Sequence, residues 1–254
     1  MQIGDWHGTG FGLLDQREAR GVNVAGLTHN APKFSTQPLI EPLPPLTQIG
    51  GTCYAFATVN YIRYTCRNLP LRSGLALGWL SHKVMGVSDA NAAQMTANGG
   101  YVRAAVGAAL AWGLPAESDH RDLDENIEIK NNVIIAKKPT IEAMMGAFYD
   151  ATLCYDSIHQ LRASDAQDMA ALGIPSIVCT AVTDEIYKAA VDGSKLTGAG
   201  TFIGAHAWVL IGPNTLQSTW GSCGRDGMGL FEASDDYIRG AFDIWTGVPI
   251  WATK

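Results

Sequence analysis

Apolar positions recur along this chain in two rhythms, and the change between them falls near Gly173. After the breaker pair Gly50-Gly51, Phe56, Val59 and Ile62 recur at a spacing of three. That spacing predicts a helix starting near Cys53, with Thr52 as its N-cap and one buried face. Pro70 ends the pattern. Residues 75–86 and 101–112 read as further helices, the second carrying a stripe of Val102, Val106, Ala109 and Leu110; 141–148 and 157–171 read the same way. The acidic stretch from Glu117 to Glu128 reads as a solvated loop. Beyond Gly173 the runs become short and β-branched. Pro175–Val182, Ala207–Ile211, Thr215–Trp220 and Gly227–Phe231 read as four strands, with Gly212-Pro213-Asn214 joining the second to the third. Helices first and strands afterwards argue for an α+β fold rather than alternating βαβ units, with a cleft between the halves as the place for a site. Closely spaced prolines hold 38–46 extended. Residues 1–47 therefore read as an arm laid over the body, 48–135 as a helical lobe and 136–254 as a strand-rich lobe. Gly193 to Gly204 reads as a flexible loop before the second strand, with a cleft-lining lid as its functional alternative.

Composition narrows the classes. The chain has 254 residues, 47% hydrophobic and 17% charged, enough apolar surface for a sizeable core and too much for wholesale disorder. A formal net charge of −6 argues against a nucleic-acid partner. No apolar run approaches the roughly 20 residues that cross a bilayer, so no membrane role is expected. Met1–Gly10 has no basic stretch followed by an apolar core, unlike a signal peptide. Five cysteines do not form a disulfide framework and suit a reducing compartment: a cytoplasm, viral or bacterial, or a host cell entered by a delivered protein. The six histidines are dispersed and no Cys-x-x-Cys occurs, so no metal or cofactor is expected. Oligomeric state stays open.

The most informative run is Gln48-Ile-Gly-Gly-Thr-Cys-Tyr-Ala-Phe-Ala57. A cysteine at a helix N-terminus meets unpaired backbone N–H groups and the positive end of the peptide dipoles, and both favour the nucleophilic thiolate. Gly50 and Gly51 let a substrate backbone approach. Gln48 can offer a side-chain N–H to a developing oxyanion beside the N–H of Cys53. A thiol nucleophile needs a base, and His206 stands at the start of an apolar strand in Gly204-Ala-His-Ala-Trp208. On the next strand, Ser218 and its polar neighbours can accept from the imidazole and fix its tautomer. Each of these residues has a plainer alternative. Free cysteines are among the most buried residues, a strand histidine is usually a satisfied core group, and a Gly pair is first a turn. Cys66, Cys154, Cys179 and Cys223 read as core or surface thiols.

The run around Cys53 resembles the active-site signature of papain-like cysteine peptidases, and three further runs match that family in order. Ala97-Asn98-Gly99-Gly100-Tyr101 with Trp112-Gly113-Leu114 is similar to its Asn-Gly-Gly segment and the following helix. Gly173–Val178 is similar to the first strand of its second domain. Ala205–Gly212, then Ser218-Thr-Trp-Gly221, resemble its histidine and Asn-Ser-Trp-Gly boxes. The resemblance covers 48–254 and implies a two-lobed papain-like α+β fold with the active-site cleft between the lobes. It implies a cysteine endopeptidase acting on a protein or peptide substrate, with Cys53 as nucleophile, His206 as base then acid, and Gln48 in the oxyanion hole. It further implies that Gly99 and Gly100 hold substrate backbone and that Trp220 shields the imidazole. The chain departs from the pattern in four places. Five positions separate Gln48 from Cys53, against the family's six. Ser218 replaces the usual Asn, so the third catalytic position lies open between Ser218, Asn214 and Gln217. Gly50, Gly51 and Ala97 stand where extracellular members carry a disulfide. Residues 1–47 are far shorter than the usual propeptide. A deubiquitinase, deamidase or transglutaminase-like enzyme on the same scaffold, or an inert papain-like binding protein, are the alternatives.

Overall fold

The computed structural model describes residues 40–248, apart from 68, 90, 93–98, 123, 131–132, 146–156 and 161. Along the chain its helices are α1 (Cys53–Thr65), α2 (Gly74–Val84), α3 (Val102–Trp112), α4 (Ala163–Ala171), α5 (Glu185–Asp192) and α6 (Asp235–Arg239). The strands are β1 (Ile127–Lys130), β2 (Val133–Ala136), β3 (Ser157–Gln160), β4 (Ser176–Thr183), β5 (Phe202–Gly212), β6 (Thr215–Gln217), β7 (Leu230–Glu232) and β8 (Asp243–Val248). β1 and β2 form a separate antiparallel ribbon. The other six form one sheet in the order β3-β8-β4-β5-β6-β7, with every neighbouring pair antiparallel.

Period-two alternation divides the sheet's apolar residues between two cores. Ile177, Cys179, Ala207, Val209 and Ile211 point to one face and pack with α1, α2 and α3 through Ala57, Tyr61, Leu77, Leu80 and Val106. Val178, Trp208, Leu210, Leu216 and Phe231 point to the other, against Ala166, Ala170, Ile186, Ala189 and Ile238 of α4, α5 and α6. α1 thus lies between a helical layer and a sheet. It is buried on all sides rather than along the single stripe that its spacing predicts, because both neighbours are apolar.

The buried polar groups of α1 find partners across that interface. Gln217 is fully buried; its Oε1 accepts from Asn60 Nδ2 at 2.9 Å and from Tyr64 Oη at 2.6 Å. Its Nε2 donates to Leu43 O at 2.7 Å and Met228 O at 2.9 Å. The described end of the arm, residues 40–47, is a strap fixed by the same groups. Leu43 N donates to Tyr64 Oη, Arg63 donates to Pro44 O, and Ile40 is buried in the first core. Residues 1–39 of the predicted arm lie outside the described residues.

Several sequence expectations change. Residues 157–160 form β3, paired with β8, and the helix expected over 157–171 starts only at Ala163; strand pairing with a distant segment overrides the local helical pattern. Residues 141–145 are helical, and 146–148 lie outside the described residues. The acidic stretch is no solvated loop throughout. Its Asp122 carboxylate accepts from Ser73 Oγ at 2.7 Å, Gly74 N at 2.8 Å and Leu75 N at 2.9 Å, closing the N-terminus of α2 with a negative charge. Residues 127–130 of the same stretch belong to the β1–β2 ribbon. The Gly193–Gly204 segment is a tied turn rather than a flexible loop. Thr197 donates to the Glu185 carboxylate from N and Oγ1, Thr201 N donates to Asp184, and Leu196 is buried.

Gln217→Leu keeps the volume but removes the acceptor of the Asn60 Nδ2 and Tyr64 Oη protons and the donor to the Leu43 and Met228 carbonyls. It is expected to destabilise the fold by about 2–4 kcal/mol, read as a lowered urea midpoint with an unchanged m-value.

Candidate active site

Three local features build the site at the start of α1. Thr52 does not cap the helix with its side chain: its hydroxyl donates backwards to Ile49 O at 2.7 Å. Helical hydrogen bonding begins with the N–H groups of Ala55 and Phe56, both to Thr52 O, and no acidic residue stands in the first turn. The N–H groups of Cys53 and Tyr54 are therefore left to face the Cys53 sulfur, and the Ala207 N–H reaches it from β5. All three pull the thiol towards thiolate. Burial acts the other way and is the larger effect, so the thiol sits above its ordinary value. The helix-start expectation of a thiolate is thus outweighed by desolvation.

Ala207 follows His206, so the peptide unit carrying the imidazole borders the sulfur. His206 lies within β5, four residues after its first, and not at the strand start that the sequence implies; it is 3% exposed. Its ring meets the aromatic side chains of the second core. There it stacks on Trp220 with ring centroids 3.9 Å apart, and meets Trp208 edge to face at 4.6 Å. Burial lowers its imidazolium to about 3. Its Nε2 is buried and has no hydrogen-bond partner among the described residues. Ser218 does not serve it: the Ser218 Oγ accepts from Trp220 N–H at 3.0 Å and lies 3.8 Å from Cys223 Sγ. Gln217 is committed to α1 and the strap. Asn214 donates to Ala233 O and Asp235 in the turn at the opposite end of β5.

Gln48 is brought to the site by a short antiparallel pairing. Thr47 bridges Trp220, Gln48 N donates to Thr219 O at 2.7 Å, and Gly221 N donates to Leu46 O at 2.9 Å. Thr219 Oγ1 donates to Gln48 Oε1 at 2.8 Å, which fixes the amide orientation, and Nε2 donates to Gly50 O at 2.8 Å. An amide Nε2 has two protons, so one N–H remains for a ligand. Sequence reading missed Thr219. The signal was present, since a hydroxyl residue one place from Ser218 must face the opposite side of the strand.

Gly99 and Gly100 lie against this same turn. A Cβ at Gly100 would come within 2.5 Å of the Tyr54 ring, and one at Gly99, whose φ is +90°, would lie 3.8 Å from Gly51 O. Their neighbours Ala97 and Asn98, and Cys154, lie outside the described residues. Cys53, Cys179 and Cys223 are free thiols. Among the described residues no His, Cys, Asp or Glu cluster could hold a metal ion, and no helix is long and apolar enough to cross a membrane.

A cysteine at the head of a buried central helix, facing a histidine-bearing antiparallel sheet, is the architecture of the papain-like cysteine proteases. That is the fold of this chain. It is similar to xylellain, a cysteine protease from Xylella fastidiosa, at a TM-score of 0.66 and 19% identity, over 85% of this chain and 87% of that one. It is also similar to procathepsin B from Trypanosoma congolense (TM-score 0.55, 12% identity, 95% and 98% covered). The Carica candamarcensis cysteine protease CMS1MS2, solved in complex with E-64, gives a TM-score of 0.53 at 13% identity, with 82% and 93% covered. No family model and no curated protein sequence matches the chain.

Behind Cys53, His82 is fully buried, with Nε2 3.1 Å from Tyr54 Oη, and its imidazolium is lowered to about 4 by burial. The unfolded chain takes up a proton near pH 6.5 that the folded chain refuses until about 4. Stability is therefore full above pH 6.5 and falls as pH drops towards 4, by up to about 3 kcal/mol from this group. His82→Gln keeps a partner for Tyr54 without titrating. Urea midpoints measured from pH 7 to 4 are expected to fall less steeply in that variant.

Proposed function

We propose that this chain is a papain-like cysteine peptidase in which Cys53 is the nucleophile and His206 the base. The observation that carries the reading is the meeting of the Cys53 sulfur with the N–H groups of Cys53, Tyr54 and Ala207, the last next to His206. The free Nε2 proton of Gln48 stands on the same turn. Burial favours the neutral form of both titrating groups, so the proton passes from Sγ to the imidazole as the sulfur attacks the peptide carbonyl, rather than beforehand. The oxyanion is held by Cys53 N–H and Gln48 Nε2–H. His206 then protonates the departing amine and the C–N bond breaks. In the second half His206 takes a proton from water, which attacks the thioester; the C–S bond breaks, the acid leaves and His206 returns the proton to the sulfur. Gly99, Gly50 and Gly51 leave room for an extended peptide, while Gly100 packs against the Tyr54 ring and holds that segment beside the turn. The same reading carries the expectation of a reducing compartment, where the thiol stays free.

A second reading, an inert binding protein, is favoured by one observation: the His206 Nε2 has no partner to orient it. The two readings separate in one assay. A peptide library digested with the wild-type chain is expected to yield products that Cys53→Ala does not, and a thiol-reactive epoxide peptide is expected to add one equivalent at Cys53. Absence of both would support the inert reading. Thr219→Val releases the Gln48 carboxamide and is expected to lower kcat about tenfold with little change in KM; Thr219→Ser is expected to restore it.

A further inference from the structure

The His206 ring has no hydrogen-bonding third residue at Nε2, yet it is held on two sides. Trp220 stacks on it with an interplanar angle of 29°, and Trp208 stands at 85° to it. The two indoles meet each other at 71° with centroids 5.2 Å apart. Trp208 in turn is pinned by a buried chain of hydrogen bonds. Its Nε1–H donates to Thr180 Oγ1 at 2.8 Å, Thr180 donates to Tyr237 Oη at 2.9 Å, and Tyr237 donates to Ala181 O at 2.9 Å. Every proton in the chain has one acceptor, so the bonds run in one direction and polarise one another. Thr180 is also the cross-strand partner of His206 in the β4–β5 register. The anchor and the ring it controls are therefore set side by side by the same ladder.

We infer that Trp208, anchored through Thr180 and Tyr237, is a positioning residue for His206. It fixes the imidazole plane against Trp220 and so replaces the orienting contact that a hydrogen-bonding third residue would provide. An edge-to-face indole restricts rotation of the ring about its Cβ–Cγ bond, and the stacked face of Trp220 favours the imidazolium that forms as the sulfur gives up its proton. Ser218, spent on Trp220 N–H, is left as a strand hydroxyl. The inference rests on the proposed role of His206, and its test includes a readout that needs no turnover.

Thr180→Val keeps the side-chain volume and removes the acceptor of the Trp208 N–H. It is expected to lower kcat about tenfold while KM stays within about twofold. Thr180→Ser is expected to restore kcat, and Ser218→Ala to cost less than Thr180→Val. In the Cys53→Ala protein, imidazole nitrogen NMR is expected to show His206 as one sharp tautomer that broadens or shifts in Thr180→Val. Should Thr180→Val not fold, Trp208→Phe retains an aromatic ring and removes the N–H, with the same outcomes. Unchanged His206 signals, a kcat loss that vanishes when corrected for folded fraction, or a larger loss in Ser218→Ala would overturn the inference. A wild-type chain that cleaves no peptide but shows the shift in His206 signals would retain the positioning role and remove only the peptidase reading.

Discussion

The register of β5 against β4 is the constraint on which the rest depends. Because side chains alternate along a strand, Ala207 is turned to the face that packs on α1 while Trp208 is turned to the other. The Ala207 N–H can then reach the sulfur at the head of α1 while the preceding imidazole is enclosed by indoles. A slip by one residue would exchange these faces. It would turn Trp208 towards the face that packs on α1 and take the histidine out of its aromatic surroundings. Eight paired positions from Ser176 to Thr183, with Trp208 and Ile177 fully buried, hold that register.

The head of α1 shows two electrostatic effects of opposite sign, and the larger is not the one that helix geometry suggests. Unclaimed N–H groups and the absence of a first-turn carboxylate favour a thiolate. The sulfur nevertheless stands at a half-buried junction of helix and sheet, where desolvation makes charge costly. The same interface lowers His206. On the proposed peptidase reading, a neutral pair of this kind would transfer its proton only when a substrate carbonyl supplies somewhere for the sulfur's electrons to go, which would limit wasteful oxidation of a standing anion.

What could be read from the residues divides along physical lines. The α+β class, the start of α1 at Cys53 and the strands around Trp208 were legible, because local spacing and β-branched runs carry that information. β3 and β8 were not, since their pairing joins segments far apart in the chain and neither run is strongly patterned. His206 and Cys53 were legible as a constellation of residue types in order. The lack of a partner at Nε2 was not, because it depends on where the short Ser218 hydroxyl points after folding. Thr52 was read as a side-chain cap on composition. The hydroxyl had a second acceptor in Ile49 O, and tertiary geometry chose it.

The segment following β6, residues 218–221, shows how one alternation serves two ends of the proposed reaction. Thr219 turns towards the strap and holds Gln48, so the oxyanion side is set by residues 47–48 and 219. Ser218 and Trp220 turn the other way, and Trp220 lies on the imidazole. Oxyanion donor and base are thus placed relative to each other by a single short segment, with no loop between them whose motion could change their separation. That economy explains why the strap matters beyond covering apolar surface. Without the Leu46–Gln48 pairing, residues 219–221 would be an unpaired edge, and both the carboxamide and the indole would lose the backbone that aims them.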